Sequence, residues 1–329
     1  MKEIKADNYS IWIGEKSLSK LDITNYSKVA ILVDENTKRE CLSFLPKIKN
    51  SIIIEVPSGE GNKNIAICNT IWEKLSINNF DRNSVLINLG GGVIGDMGGF
   101  CASTYKRGLD FIQIPTTLLA MVDASIGGKI GINFNGLKNQ IGLFSNPKSV
   151  IINPIFLNTL ARNQLQSGFA EVIKHSLITN KKHWEVLSNT LFEDLDLQNI
   201  IDISIQIKNT IVKADPLEKN KRKKLNFGHT YGHAIESYYL EEKKPILHGE
   251  AVLMGIILEC ELSLLSQNEK IDIKDYLLSN FQLPEIPSKN KLMKFLINDK
   301  KNKEAKINFT LLNGIGSCTI DNLFTEDEL

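Results

Sequence analysis

Three short motifs each carry a residue type that binds metal ions. Gly168-Phe-Ala-Glu-Val-Ile-Lys-His175 contains Glu171, Asn226-Phe-Gly-His-Thr-Tyr-Gly-His233 contains His229, and Leu247-His-Gly-Glu-Ala251 contains His248. One carboxylate and two imidazoles make an open three-ligand set, with a fourth position left for water or a substrate oxygen. That is the arrangement of a catalytic metal rather than a structural one. The chain has five histidines, and four of them (His175, His229, His233, His248) fall inside these motifs. Histidines scattered through a core would not gather in this way.

The surroundings are charged. Glu171, Lys174 and His175 are spaced i, i+3 and i+4, so all three can share one helix face. His229 and His233 are i and i+4. That spacing suits two metal ligands on one turn, and equally one ligand beside a general base. Upstream lie Lys208, Glu218, Arg222 and Asn226.

Other stretches suit anions. Leu89-Gly-Gly-Gly-Val-Ile-Gly-Asp-Met-Gly-Gly99 follows an expected strand and opens an expected helix. Its glycines would let backbone N–H groups reach a diphosphate at a helix N-terminus, or would simply make a tight turn. It is not a G-x-G-x-x-G fingerprint, so an ordinary dehydrogenase is not indicated. Ser58-Gly-Glu-Gly-Asn-Lys63 could hold ribose hydroxyls or phosphate. By itself it reads better as a capped helix start. Pro115 to Lys129 carries Thr116, Thr117 and Asp123 and ends on Gly-Gly-Lys, with Lys138 and Asn139 soon after. Lysines in such apolar, glycine-rich sequence are costly to bury unless they meet an anion; the bland alternative is a solvated loop.

Positioning these groups falls to two kinds of element. Residues 28–34, 51–56, 84–89 and 111–114 are β-branched and nearly all apolar, as strands covered on both faces tend to be. Between them, 62–75 and 95–103 read as helices. Alternating β and α elements imply a Rossmann-like parallel sheet with its ligand crevice beyond the carboxyl ends of the strands. From about Asn158 the periodicity is mostly helical, with helices expected at 191–212, after Gly228, at 250–266 and at 289–298. A small strand pair is expected around Gly314 and Gly316. The expected fold class is thus α/β + α. An N-terminal Rossmann-like parallel-sheet domain over 1–155 precedes a mainly helical metal- and substrate-binding domain over 156–329.

Composition sets limits. The chain has 329 residues, is 42% hydrophobic and 23% charged, and carries a net charge of +1. No global field favours nucleic acid or a membrane surface. No apolar run approaches the ~18 residues of a membrane span, and the first residues lack a signal-peptide core. The five cysteines show no C-x-x-C spacing and read as buried thiols of a cytoplasmic protein.

Taken together, the stretches Ser58–Lys63, Gly90–Asp96, Pro115–Ala120 with Val122–Lys129, Leu137–Gly142, Ala170–Lys174, Leu225–Glu236 and His248–Ala251 resemble the 3-dehydroquinate synthases, in the same order along the chain. The resemblance implies an NAD-binding N-terminal domain, a helical domain holding Zn2+ or Co2+, and a homodimer. The implied substrate is a small sugar phosphate, 3-deoxy-D-arabino-heptulosonate 7-phosphate, converted to 3-dehydroquinate and phosphate. The implied course is oxidation at C5, phosphate elimination, re-reduction and aldol closure, so NAD is regenerated at each turnover. To NAD the resemblance assigns Asp34, Asn36, Ser58, Gly59, Glu60, Gly61, Asn62, Lys63, Gly92, Val93, Ile94, Gly95, Asp96, Thr116, Thr117, Lys129, Lys138, Phe156, Leu157, Asn158 and Thr159. To the metal it assigns Glu171, His229 and His248. To substrate binding and catalysis it assigns Arg107, Asp123, Lys129, Asn139, Lys174, Lys208, Glu218, Arg222, Asn226, His233 and Lys300. The segment 237–247 looks slightly longer than is usual there.

Three competing readings are a related sugar-phosphate cyclase, a metal-dependent polyol dehydrogenase and a non-catalytic module. A carboxylate on the substrate separates the first, and Lys208 with Arg222 suits one. Net NADH release separates the second. The third would lack some of the ligands or cations, and none is missing.

Overall fold

A computed structural model describes residues 1–135, 137–297, 302 and 306–329. The chain forms two compact units, Met1–Ala161 and Arg162–Leu329.

The first unit contains strands β1 (Lys2–Lys5), β2 (Ser10–Ile13), β3 (Val29–Asp34), β4 (Ile52–Val56), β5 (Val85–Gly90), β6 (Asp110–Pro115), β7 (Lys129–Phe134), β8 (Leu137–Phe144) and β9 (Ser149–Ile152), with helices α1 (Glu35–Glu40), α2 (Ile65–Ile77) and α3 (Gly92–Thr104). Seven strands make one sheet in the order β1-β2-β9-β6-β5-β3-β4. All its pairings are parallel except that of β1 with β2. The four apolar runs are β3 to β6. Their central members are buried throughout, with Leu32, Leu86 and Ile87 fully inaccessible. Helices α2 and α3 cover one face through Ile71, Leu75, Met97 and Cys101. Each large side chain so buried stabilises by roughly 1.5–3 kcal/mol.

Strands β1, β2 and β9 have four residues each and escaped the sequence reading. Such short runs carry too little periodicity to declare themselves. The stretch after Gly128, for which a solvated loop is the bland alternative, forms the β7–β8 hairpin. The start of α2 also differs. Asn64 is its N-cap, accepting from the amides of Ala66 and Ile67, so Ser58–Lys63 lies before the helix.

The second unit holds helices α4 (Arg162–Thr179), α5 (Lys181–Ser188), α6 (Leu197–Ala214), α7 (His229–Glu241), α8 (His248–Leu262), α9 (Gln267–Asn280) and α10 (Lys289–Ile297). A hairpin of β10 (Ile307–Gly314) and β11 (Ser317–Phe324) completes it. Helix α6 starts later than expected because Asp196 caps it on the amide of Asn199. The run expected over 250–266 stops at Leu262, and a separate α9 follows. Ser266 and Glu269 form a reciprocal capping box there, a signal present in the sequence. All five cysteines are buried and unpaired. No described helix is long and apolar enough to cross a membrane.

His183 on α5 makes a buried hydrogen bond through Nδ1 with Ser176 Oγ at 2.8 Å. Burial, and then the charge of His175, lower its pKa from 6.5 to about 4. The unfolded chain therefore binds a proton that the folded chain refuses. Stability from this group is complete above about pH 6.5 and falls as the pH drops toward 4. The loss is on the order of 3 kcal/mol. Urea unfolding at successive pH values should show a shallower acid decline in His183→Gln than in the native chain. Parallel curves would contradict this.

Candidate active site

Glu171, His229 and His248 converge. One ligand atom from each lies within 4.8 Å of the others. Glu171 is fully buried on α4. Its Oε1 lies 3.5 Å from His229 Nε2 and 3.8 Å from His248 Nε2. A tetrahedral Zn2+ with bonds of about 2.1 Å would hold its ligands roughly 3.4 Å apart. The donor set therefore fits a divalent metal.

The imidazoles are also oriented for one. His229 Nδ1 donates to the Phe227 carbonyl at 3.1 Å. In the neutral ring this leaves the lone pair on Nε2, which faces Glu171. His248 Nδ1 faces Glu236 Oε2 at 3.6 Å. Lys174, itself buried, pairs with Glu171 Oε2. Both Nε2 atoms thus face one carboxylate oxygen, an arrangement in which two imidazoles and a carboxylate could share a cation.

Close backbone contacts bring the three helices together. A Cβ on Gly249 would sit 2.1 Å from the Ser167 carbonyl oxygen, one turn before Glu171. Ser167 Oγ also accepts from the Gly249 amide at 3.0 Å. Thus the start of α8, with His248, rests on α4. His233, one turn along α7 from His229, has its ring centroid 5.3 Å from that of His229 and 6.2 Å from that of His248. It stands beside the cluster without belonging to it.

Other expected site residues of this unit lie on α6 and the loop after it. Lys208 and Arg222 are buried, while Glu218 and Asn226 are half-buried. Arg222 Nη1 donates to the Pro216 carbonyl at 2.7 Å. Asp215 organises the loop by accepting from the amides of Lys219, Asn220 and Arg222 at 3.0, 2.6 and 3.1 Å. Burial pushes its carboxyl up, but those amides and the Arg222 charge outweigh it and hold the pKa below the usual value. Glu218 sits in the same loop with φ of 56°. Lys300 lies outside the described residues.

In the first unit the expected cofactor residues other than Lys129 and Lys138 lie at the carboxyl ends of five neighbouring parallel strands. Phe156–Thr159 follows β9, Thr116 and Thr117 follow β6, and Gly92–Asp96 follows β5. Asp34 ends β3 with Asn36 just beyond it, and Ser58–Lys63 follows β4. The chain reverses its strand order between β3 and β5, where such sheets bind ligands. Helix α3 begins there with no side-chain cap, so its first amides are available to an anion.

Lys63, almost fully buried, bridges Asp96 Oδ2 and Asn139 Oδ1 at 2.6 Å each. Asn133 links Glu60 to the same group. It donates to Glu60 Oε1 at 2.8 Å and accepts from the Asn139 amide at 2.9 Å. Asp34 is occupied as the N-cap of α1. Thr117 Oγ1 accepts from the Ala120 amide, and Asp123 is half-buried in a π-helical turn over Ala120–Ala124. Arg107, Lys129 and Lys138 are exposed. The desolvation argument for Lys129 and Lys138 therefore does not hold, because a hairpin keeps both in solvent.

The profile of the 3-dehydroquinate synthase N-terminal domain matches residues 53–167, and that of the C-terminal domain matches 168–302. The chain belongs to the 3-dehydroquinate synthase family. A 3-dehydroquinate synthase of Parabacteroides distasonis is 41% identical over 94% of this chain and 91% of its own length. One from Campylobacter curvus is 40% identical over 99% and 96%. Among solved structures, 2-deoxy-scyllo-inosose synthase with carbaglucose-6-phosphate, NAD+ and Co2+ superposes with a TM-score of 0.85 at 24% identity, covering 98% of this chain and 95% of its own. The 2-epi-5-epi-valiolone synthase of Streptomyces hygroscopicus, with NAD+ and Zn2+, gives 0.85 at 24% identity, covering 100% and 96%. A probable glycerol dehydrogenase from Sinorhizobium meliloti gives 0.59 at 15%, covering 91% and 87%. These structures establish the fold: a Rossmann-like parallel-sheet domain followed by a helical domain.

Four contributors to this 3-dehydroquinate synthase site were missed in the sequence. Glu236 was legible in principle, since it lies seven residues from His229 on the same helix. Asn133, Ser167 and Asp215 carry no such spacing. The roles of Asn133 and Ser167 come from hydrogen bonds made across the fold, and that of Asp215 from the local turn its carboxylate closes.

Proposed function

We infer that the chain is a 3-dehydroquinate synthase, converting 3-deoxy-D-arabino-heptulosonate 7-phosphate to 3-dehydroquinate and phosphate in the shikimate route. The carrying observation is the Glu171, His229 and His248 cluster in a chain 41% identical to a 3-dehydroquinate synthase over nearly its full length. Lyase chemistry, a homodimer and a cytoplasmic location belong to the same proposal.

The first unit, 1–161, would hold NAD through the open N-terminus of α3, with Glu60 and Lys63 beside it. The second, 162–329, would hold the metal through Glu171, His229 and His248. When bound, NAD supplies a hydride acceptor restored within each turnover, and Zn2+ or Co2+ supplies a Lewis acid for a substrate hydroxyl. His233 would pass the proton that accompanies phosphate departure. Lys208 and Arg222 would meet the carboxylate, and the remaining cations the phosphate.

Purified protein given NAD and the heptulosonate phosphate should release phosphate and dehydroquinate in equal amounts with no net NADH. Accumulating NADH would favour the polyol dehydrogenase reading. Arg222→Met should lower kcat/KM by at least about tenfold, since a charged hydrogen bond contributes roughly 1.5–3 kcal/mol. Arg222→Lys should recover only part, because the fork of parallel donors is gone. Near-native kcat/KM in Arg222→Met would remove the carboxylate assignment.

A further inference from the structure

Helix α7 carries His229 as its first residue and His233 one turn on. The helix has no cap of its own. Its N-cap is Gly228, which takes φ of 77° and offers no side chain. Among its first amides, three are collected by one carboxylate from another helix. Glu259 Oε2 accepts from the Gly228 amide at 2.6 Å, and Oε1 accepts from those of Thr230 and Tyr231 at 2.9 and 3.1 Å. Glu259 is fully buried on α8. It reaches these amides because α8 lies backbone to backbone against the start of α7. A Cβ on Gly255 would sit 2.0 Å from the Gly228 carbonyl oxygen.

Burying a carboxylate is costly unless charge-assisted bonds offset the lost water. Here the amides of the three residues that flank or adjoin His229 supply such bonds. The same helix α8 begins with His248. Glu259 thus ties the axial position and rotation of α7 to the helix that supplies the other histidine. An ordinary N-cap would fasten α7 only to its own preceding residue. This carboxylate instead fastens it to α8.

We propose that Glu259 is a positioning residue for the metal centre, setting the spacing of His229 to His248 through the α7 amides. The proposal rests on the metal assignment made above. Glu259→Gln keeps the shape, but one of its two end atoms becomes a donor. It can then serve either Gly228 or the Thr230 and Tyr231 pair, not both.

The test uses Co2+ as the probe, in full-length protein. Chelator competition should show Glu259→Gln binding Co2+ about 10–100-fold more weakly, as for other residues that orient metal ligands. The visible d–d bands should also change in the Co2+-saturated variant. Ser263→Ala is the control. Ser263 Oγ donates to the Glu259 carbonyl and accepts from the Leu312 amide, so its loss weakens α8 without touching the α7 amides. It should keep native affinity and bands. Native affinity and bands in Glu259→Gln would overturn the proposal, as would an equal loss in both variants. If Glu259→Gln does not fold, hydrogen exchange on the native chain decides. Linkage requires Co2+ to slow exchange at the Gly228, Thr230 and Tyr231 amides, and unchanged exchange there would overturn it. Failure of the native chain to bind Co2+ would instead overturn the metal assignment itself.

Discussion

His248→Ala is expected to lose its metal and, with it, turnover. The substitution removes one of three protein donors, the one whose Nε2 stands 3.8 Å from Glu171 Oε1. Structural zinc sites yield about 10–16 kcal/mol from four ligands, so one donor accounts for roughly 3 kcal/mol, or about two decades in affinity. Turnover should fall by at least as much at limiting metal. The fold should survive, because His248 is only half-buried and the start of α8 is still held by Glu250. That carboxylate accepts from the Leu247 amide at 2.7 Å. Metal analysis of the purified variant checks the point. Full metal content together with full activity would remove His248 from the ligand set.

His233→Ala should behave in the opposite way with respect to metal. His233 lies on the same helix as His229 and its ring is 5.3 Å away, yet its nitrogens are not part of the three-donor cluster. Metal content should stay native while kcat falls by about 10^2–10^4, the usual contribution of a placed acid–base group. The sequence spacing of His229 and His233 allowed two ligands or one ligand beside a base. The carboxylate of Glu171 faces His229 and His248, which supports one ligand beside a base. If His233→Ala purified without metal, that distinction would be lost.

Much of the site was legible before folding. The candidate metal ligands stood out because four of the chain's five histidines fall in three tight local motifs, one of which also carries Glu171. The central strands β3, β5 and β6 were legible because a strand buried on both faces must be apolar throughout, and each was a run long enough to show it. Strands β2 and β9 were not, since runs of only four residues carry too little periodicity to stand out, even inside the sheet. The β7–β8 hairpin was not legible because a glycine pair and lysines suit a loop and the exposed side of a hairpin alike.

Residue types and the order in which they arrive along the chain were enough to reach the family, the parallel sheet and the three candidate ligands. Tertiary structure alone decided what each side chain meets. Lys63 joins Asp96 to Asn139, 33 and 76 residues away. Glu259 holds amides 28 to 31 residues upstream. Local periodicity reports which face of an element is apolar, because burial of that face depends on the element alone. A buried polar contact depends on two backbones approaching at one point, as Gly249 does to Ser167 and Gly255 to Gly228. No spacing along the chain encodes that distance.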